Sequence, residues 1–475
     1  MGSIFKEKLG LYTDLYELTM AQGYFLCGKK DQQTSFDYYF RTNPYQGGFT
    51  VFAGLQDFLD ALQEFTYTES DLEFLQANGF KSEFLNYLRK FKFSGNITSV
   101  REGEIVFPNE PLLSIEGNII ECQLLESMLL NILNFESLIA TKAFRIKLIS
   151  GKKLFADFGL RRAQGLSSLF ASRAACIGGA SSTSNALAGK IYDIPVSGTM
   201  AHSWVQSFSS ELEAFRAFAA TNPNNAILLV DTYDTLKSGI PNAITVGHEM
   251  AARGEQLKAI RLDSGDLAYL SKKARKLLDD AGLNHVKILA SNQLNEYVIK
   301  TLLNDQQAAI DGFGIGTELI TGKNDAALDG VYKLTEIDGE PKMKFSENVE
   351  KITLPGKKQL LRYFDNEGKF YRDGIMLADE SPLDANTLHH RIHPEKQTNT
   401  EGLKCERLRE KVVHNGRILL KSQNPILLHA YLRSRAALLP EEHQRFISPH
   451  LYKVGISNKL MTTRNALTQK LRTLH

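Results

Sequence analysis

Between about residues 153 and 320, groups able to do chemistry collect at the ends of short apolar runs. KLFADF (153–158) leads into Gly159, Arg161 and Arg162, and IPVSGT (194–199) leads to His202. AILLVDT (226–232) carries Asp231, with Asp234 behind it, and KAIRLDS (258–264) carries Arg261 and Asp263. VKILASN (286–292) ends on Ser291 and Asn292, and AIDGFGIGT (309–317) ends on Gly316 and Thr317. Turn formation explains glycine, serine and asparagine at such places, but not arginines, a histidine and carboxylates arriving together. Arg261 and Asp263, two residues apart on a strand, share one face, and a cation buried there requires a carboxylate or an anionic ligand. GFGIGT lets the backbone turn closely with its N–H groups exposed, which suits a phosphate.

Each residue also has a plainer reading. An apolar strand ending in Asp231 serves equally as a helix cap, and DSGD before a helix starting near 266 offers the same role to Asp263. A lone histidine such as His202 is more often structural. LLVDTYDT superficially resembles an acidic ribose-phosphate motif, but that motif has adjacent acids, whereas Asp231 and Asp234 are separated by two residues. The glycines match neither a dinucleotide fingerprint nor a P-loop.

The elements that must position these groups follow from the rhythm of strand, short polar stretch and amphipathic helix, at spacings near thirty residues. Leu267, Leu270, Ala274, Leu277, Leu278 and Ala281 form one helical stripe, with Gly282 as its stop. Trp204, Phe208, Leu212 and Phe215 predict another helix over the sheet. Successive βα units imply parallel strands and right-handed crossovers, hence an α/β barrel, complete or nearly so, with an open doubly wound sheet as the alternative. In both, function belongs at the carboxyl ends of the strands. Residues 1–125 read as α+β, 126–340 as the barrel-like catalytic domain, and 341–475 as a segment packing with the N-terminal domain. SPLDANTLHHRIHPEKQTNT (381–400) reads as a loop in which His389, His390 and His393 are solvated rather than metal-bound, and KLMTTRNALTQKLRTLH (459–475) as a surface helix.

The totals narrow the classes. A chain of 475 residues exceeds one core and predicts two domains. A net charge of +2, from 56 basic and 54 acidic residues, gives no case for nucleic acid or an anionic membrane. Cys27, Cys122, Cys176 and Cys405 form no C-x-x-C pair and are expected as reduced, mostly buried thiols. MGSIFKEKLG lacks an apolar leader core, Lys6 stands where myristoylation needs Ser or Thr, and no uninterrupted apolar run reaches the roughly 18 residues of a membrane span. A cytoplasmic location is the expectation.

The motifs YTDLYELTM (12–20), FRTNPYQGGFTVFAGL (40–55), FGLRRAQG (158–165), IGGASSTSNALAG (177–189), VSGTMAHSW (196–204), RLDSGDL (261–267) and GFGIGTELIT (312–321) stand in this order. From about residue 10 to 370 the chain resembles the longer bacterial and animal form of the nicotinate phosphoribosyltransferases. The resemblance implies an α/β fold: an incomplete or irregular barrel domain plus a smaller α+β domain formed from both chain ends. It also implies a head-to-tail homodimer with shared active sites. The implied reaction is ATP-stimulated transfer of phosphoribosyl from PRPP to nicotinate for NAD salvage, ligase-class, with Mg2+ carried by PRPP and ATP and no tightly bound organic cofactor.

By position, the resemblance assigns Tyr16 of one subunit and Phe158 of the other to the two faces of the pyridine ring, and Arg261 to its carboxylate. Arg161, Lys333 and Arg41 of the partner subunit are implied phosphate contacts, joined by Ser291, Asn292 and the backbone of Gly316 and Thr317. Asp231 and Asp263 face the ribose, and His202 matches the histidine that ATP phosphorylates. Ser181 stands where nicotinamide-using relatives carry an aspartate. One departure is that no arginine stands in KNDAALDGVYK (323–333), where the nicotinamide enzyme has one. The rival readings are the same reaction on nicotinamide, a barrel hydrolase or aldolase using the two aspartates, and a non-enzymatic dimeric relative.

Overall fold

The computed structural model describes residues 5, 7–346, 352–382 and 386–474; Lys6 and residues 383–385 of the 381–400 stretch lie outside them. The chain divides into two compact units. One runs from Lys142 to Ala326 with Asn424–Ile426, and the other comprises the residues up to Thr141, Ala327–Gln423 and those from Leu427 onward. The main segment of this unit is shorter at both ends than the 126–340 span read from the sequence, and Asn424–Ile426 joins it from outside that span.

In the Lys142–Ala326 unit six strands lie in the order Ser182–Thr183, Leu154–Asp157, Gly312–Ile315, Lys287–Ser291, Ala259–Leu262, Ile227–Leu229. Every pairing is parallel. Among the described residues the two edge strands do not pair with each other, so the barrel is open. This corrects the expectation of a barrel strand at 194–199. Pro195 has no N–H to give a ladder, and Val196 makes only one isolated bridge, to Thr183. The edge of the sheet is instead Ser182–Thr183, two residues too short to stand out in sequence.

Local chemistry explains the helices. Asp266 caps Leu267–Asp280 by accepting from the Tyr269 N–H at 2.9 Å, and Gly282, at φ +73°, ends the element in the left-handed region open to glycine. Ala274 and Leu278 of its stripe are buried, whereas Leu277 is exposed. The helix expected through Trp204 and Phe215 is two helices, His202–Gln206 and Glu211–Thr221, because Ser210 caps the second by accepting from the Glu213 N–H at 3.2 Å. Between helices and sheet lies a core that includes Phe215, Leu228, Ile260 and Ile288.

The other unit interleaves both ends of the chain. Its seven-stranded antiparallel sheet sets Gln33–Phe40 between Leu113–Asn118 and Gly330–Ile337, and Asn96–Val100 pairs with Arg409–His414. A second sheet contains Lys358–Phe364, Phe370–Leu377 and Val454–Ser457. The 381–400 stretch, read as a loop, contains a hairpin, Thr387–His390 against Gln397–Asn399. Its histidines serve the hairpin: His390 Nδ1 accepts from the Ile392 and His393 N–H groups, and His389 bonds Asn458 and the Pro394 carbonyl. The terminal segment forms the helix Asn458–Leu474. Cys122 and Cys176 are buried, Cys27 is exposed and Cys405 half-buried, all four free.

One helical stretch, Ile119–Ser150, is long and apolar enough by composition to cross a bilayer, although the sequence shows no unbroken apolar run of that length. Its most apolar window is 67% buried within the protein, the pattern of a core helix.

Candidate active site

The carboxyl ends of neighbouring parallel strands bring several of the expected residues together. Leu229, Arg261 and Leu289 stand in register across three strands, so the residues just beyond them share one rim. Asp231 Oδ2 accepts from the Asp263 N–H and from Ser264 Oγ, both at 2.7 Å. Asp263 Oδ1 accepts from Ser291 Oγ. Neither aspartate caps a helix. That work falls to Asp266 and to Asp234, which accepts from the Leu236 and Lys237 N–H groups; the Lys237 N–H is the leading cause that holds its carboxyl below the usual carboxylate range. Asp231 Oδ1 is buried without a hydrogen-bond partner.

Arg261 occupies the strand Ala259–Leu262. Its Nη2 donates to the Met200 carbonyl at 3.1 Å, and its Nε is buried with no partner. Burial pushes its pKa down, Asp263 and Asp231 oppose that, and Arg161 adds to it. A guanidinium so placed is a cation with donors unspent, suited to a planar anion that takes two bonds at once.

Phe158 follows the strand Leu154–Asp157, its N–H bonded to the Ile315 carbonyl at 2.8 Å. Its ring lies against Gly314: a Cβ built there would stand 2.3 Å from Phe158 Cε2. Beneath it, Asp157 accepts from the Gly159 N–H at 2.8 Å and from Ser172 Oγ and Thr183 Oγ1 at 2.7 Å each, which fixes the turn that presents the ring. Burial raises the Asp157 carboxyl pKa. Ser181 is held at the neighbouring edge, its N–H and Oγ both donating to the Phe155 carbonyl at 2.9 Å.

His202 opens its helix, with Nδ1 3.1 Å from Thr232 Oγ1 and Nε2 3.8 Å from Asp263 Oδ2. Arg161 is exposed after its strand. Asn292, at φ +83°, turns the chain in the left-handed region that asparagine tolerates. Gly316 precedes Thr317–Ile320, a single turn of helix, so the GIGT end offers N–H groups more than a developed dipole.

Tyr16, Arg41 and Lys333 belong to the other unit. Tyr16 is 48% exposed on the helix Leu15–Leu26, beside exposed Tyr12, Leu15 and Met20. Glu17, buried next to it, accepts from the Ser127 N–H at 2.9 Å, and burial raises its carboxyl to a pKa of about 7. Arg41 directly follows the strand Gln33–Phe40 and Lys333 lies on the strand paired with it, Arg41 Nη1 3.5 Å from Asp329 and Lys333 Nζ 3.6 Å from Glu126. Glu126 and Thr232 escaped the sequence reading. Asp157 and Gly314 stood in its strand-end clusters, at the end of KLFADF and inside GFGIGT, but without the parts they play here, Asp157 tying the turn and Gly314 seating the Phe158 ring. Among the described residues no group of three or more histidines, cysteines and carboxylates could hold a metal ion.

Comparison with known proteins is concordant along the chain. Family models match three stretches: the nicotinate phosphoribosyltransferase N-terminal domain at 11–134, the nicotinate phosphoribosyltransferase family at 154–368, and its C-terminal domain at 357–464. The nicotinate phosphoribosyltransferase of Bacillus subtilis is 43% identical over 463 residues, covering 95% of this chain and 93% of that protein. That of Caenorhabditis elegans is 36% identical, covering 95% and 92%. The solved structure of human nicotinic acid phosphoribosyltransferase superposes with a TM-score of 0.87 at 29% identity, over 96% of this chain and 99% of that one.

Proposed function

The chain belongs to the nicotinate phosphoribosyltransferase family, and from that premise we propose that it transfers phosphoribosyl from PRPP to the ring nitrogen of nicotinate, with ATP hydrolysis coupled through His202. The observation that carries the substrate assignment is the half-spent Arg261 guanidinium, flanked by Asp231 and Asp263 on the rim of the parallel sheet. As the ring nitrogen bonds to C1 of the ribose, pyrophosphate leaves with the electrons of the C–O bond. Positive charge then grows on the sugar, where Asp231 and Asp263 oppose it, and negative charge grows on the leaving group, where Arg161 does. The N–H groups of Gly316 and Thr317, with Ser291 and Asn292, hold PRPP phosphate and ribose. PRPP and ATP bring Mg2+ with their phosphates. The half-exposed Tyr16 ring, among exposed Tyr12, Leu15 and Met20 at the start of the chain's first helix, supports a dimer in which Tyr16 and Arg41 of the partner subunit complete each site.

Gly314→Ala is expected to lower kcat/KM for nicotinate roughly tenfold, about 1.4 kcal/mol, chiefly through KM, because the added methyl displaces the Phe158 ring. Unchanged KM would show that the ring's seat is not the substrate's.

Substrate choice tests the assignment. Ser181 adds no charge, whereas nicotinamide-using relatives carry an acid there. Ser181→Asp is expected to reduce kcat/KM for nicotinate at least roughly tenfold, since like charges held close in a site of reduced dielectric repel by kcal/mol amounts. Activity on nicotinamide falls much less. Both substrates are measured on both proteins at saturating PRPP and fixed ATP. An unchanged nicotinate to nicotinamide ratio would place discrimination elsewhere.

A further inference from the structure

The chain's first helix, Leu15–Leu26, opens on DLYE, with Asp14 as its N-cap and Glu17 as its third residue. Those are the two positions of a capping box, in which each side chain bonds the other's backbone N–H. Asp14 makes no such bond. Its own N–H goes to Ser127 Oγ at 3.3 Å, and both carboxyls turn to Ser127 near the start of the helix Glu126–Ser150: Ser127 Oγ donates to Asp14 Oδ2 at 2.8 Å, and the Ser127 N–H donates to Glu17 Oε1 at 2.9 Å. The Tyr12 hydroxyl adds to this clasp by donating to Asn131 Oδ1 at 2.6 Å. Glu17 is its fully buried centre. Successive helical side chains point about 100° apart, so pinning Glu17 inward holds the half-exposed Tyr16 ring outward.

The clasp has more oxygen contacts than hydroxyl protons. Thr13 Oγ1 is within bonding distance of Glu17 Oε2 and of the Leu124 carbonyl, and Ser127 Oγ of Glu17 Oε1 and Asp14 Oδ2. With Glu17 ionised all of these partners are acceptors, and each hydroxyl has one proton to give. Contacts between lone pairs are then left in a buried place, which is costly. A proton on Glu17 relieves this. It donates either to Thr13 Oγ1, freeing that hydroxyl for the Leu124 carbonyl, or to Ser127 Oγ, freeing that one for Asp14. Burial is the leading cause that lifts the Glu17 carboxyl to a pKa of about 7; Glu126 adds to it, and the Ser127 and Thr13 bonds oppose it. The titratable groups facing Glu17 are Asp14 and Tyr16 on its own segment, Glu126 on the helix it meets, and the phenols of Tyr67 and Tyr332, with Lys333 held 3.6 Å from Glu126.

We propose that Glu17 is a positioning residue that works as a neutral acid: protonated, it ties the first turn of its helix to Thr13 and Ser127 and so holds the Tyr16 ring where it meets the substrate. This rests on the reading that Tyr16 completes a site across the dimer; Glu17 itself touches no substrate. The proton is present below a pH of about 7 and is lost as pH rises through that value, so the clasp loosens on the alkaline side.

KM and kcat for nicotinate are measured on the wild type, Glu17→Gln, Glu17→Ala and Tyr16→Ala at about pH 6 and about pH 8, on either side of that value, with Tm recorded for each. Glutamine carries the extra donor permanently, its Nε2 donating to Thr13 Oγ1 while Oε1 accepts from the Ser127 N–H. At the lower pH Glu17→Gln is expected within about twofold of wild type, whereas Glu17→Ala raises KM roughly tenfold with a smaller effect on kcat, and Tyr16→Ala at least as much. At the higher pH the wild-type KM should exceed that of Glu17→Gln at least roughly threefold, a ratio in which the titrations of nicotinate and PRPP cancel. Impairment of Glu17→Gln equal to that of Glu17→Ala at the lower pH would overturn the proposal. So would a ratio of wild-type to Glu17→Gln KM that is the same at both pH values, a criterion that stands even where Glu17→Ala does not fold. Full activity of Glu17→Ala beside an impaired Tyr16→Ala would overturn it while leaving Tyr16 in the site. Full activity of Tyr16→Ala would instead remove Tyr16 from the site, and the proposal with it.

Discussion

Arg261→Ala is expected to lower kcat/KM for nicotinate by roughly 10²–10³-fold, about 2.7–4.1 kcal/mol. Two effects add. The variant loses a charge-assisted pair of bonds to the substrate carboxylate, and it leaves Asp231 and Asp263 without the cation whose field reaches both. The carboxylates then repel an anionic ring. Nicotinamide, which has no charge to lose, is expected to suffer a smaller loss, so the ratio of the two substrates moves toward the amide. Arg261→Lys should recover only part of the activity, since an ammonium cannot offer two parallel donors. Equal losses on both substrates would remove Arg261 from carboxylate recognition and leave it a structural cation.

His202→Ala is expected to abolish ATP hydrolysis and the stimulation of nucleotide formation by ATP, leaving a slow ATP-independent reaction. Phosphoryl transfer forms a P–N bond at the imidazole as the bond from the γ-phosphorus to ADP breaks. The Thr232 contact engages Nδ1, so Nε2 is the ring nitrogen without a short hydrogen bond. For Nε2 to attack, Nδ1 must carry the proton and donate it to Thr232 Oγ1. ADP release and incorporation of labelled γ-phosphate are the readouts. Full coupling in the variant would take His202 out of this role.

Much of the rim was legible because an α/β unit puts its polar residues where its strands end, and those ends are visible as apolar runs meeting Asp, Arg or Gly. Asp231, Arg261, Asp263 and Ser291 share one rim for that reason. What sequence left open was which aspartates were caps. DSGD contains two candidates three residues apart, and only geometry separates Asp266, which caps, from Asp263, which reaches Ser291. The strand expected at 194–199 failed because apolar composition says nothing about ladder donors, and Pro195 interrupts them. The helix through Trp204 and Phe215 failed because a spacing of four spans the break at Ser207–Ser210 without registering it. The 381–400 stretch read as a loop because its hairpin strands are short and polar, carried by histidines that bond the turn rather than by apolar alternation.

The most direct test is product formation by the wild-type protein from labelled nicotinate and Mg2+–PRPP, with and without ATP, beside a parallel run with nicotinamide. Nicotinate mononucleotide and pyrophosphate should appear in equal amounts, faster with ATP, and nicotinamide should be the poorer substrate. Faster turnover of nicotinamide, or no nucleotide from nicotinate under either condition, would contradict the assignment.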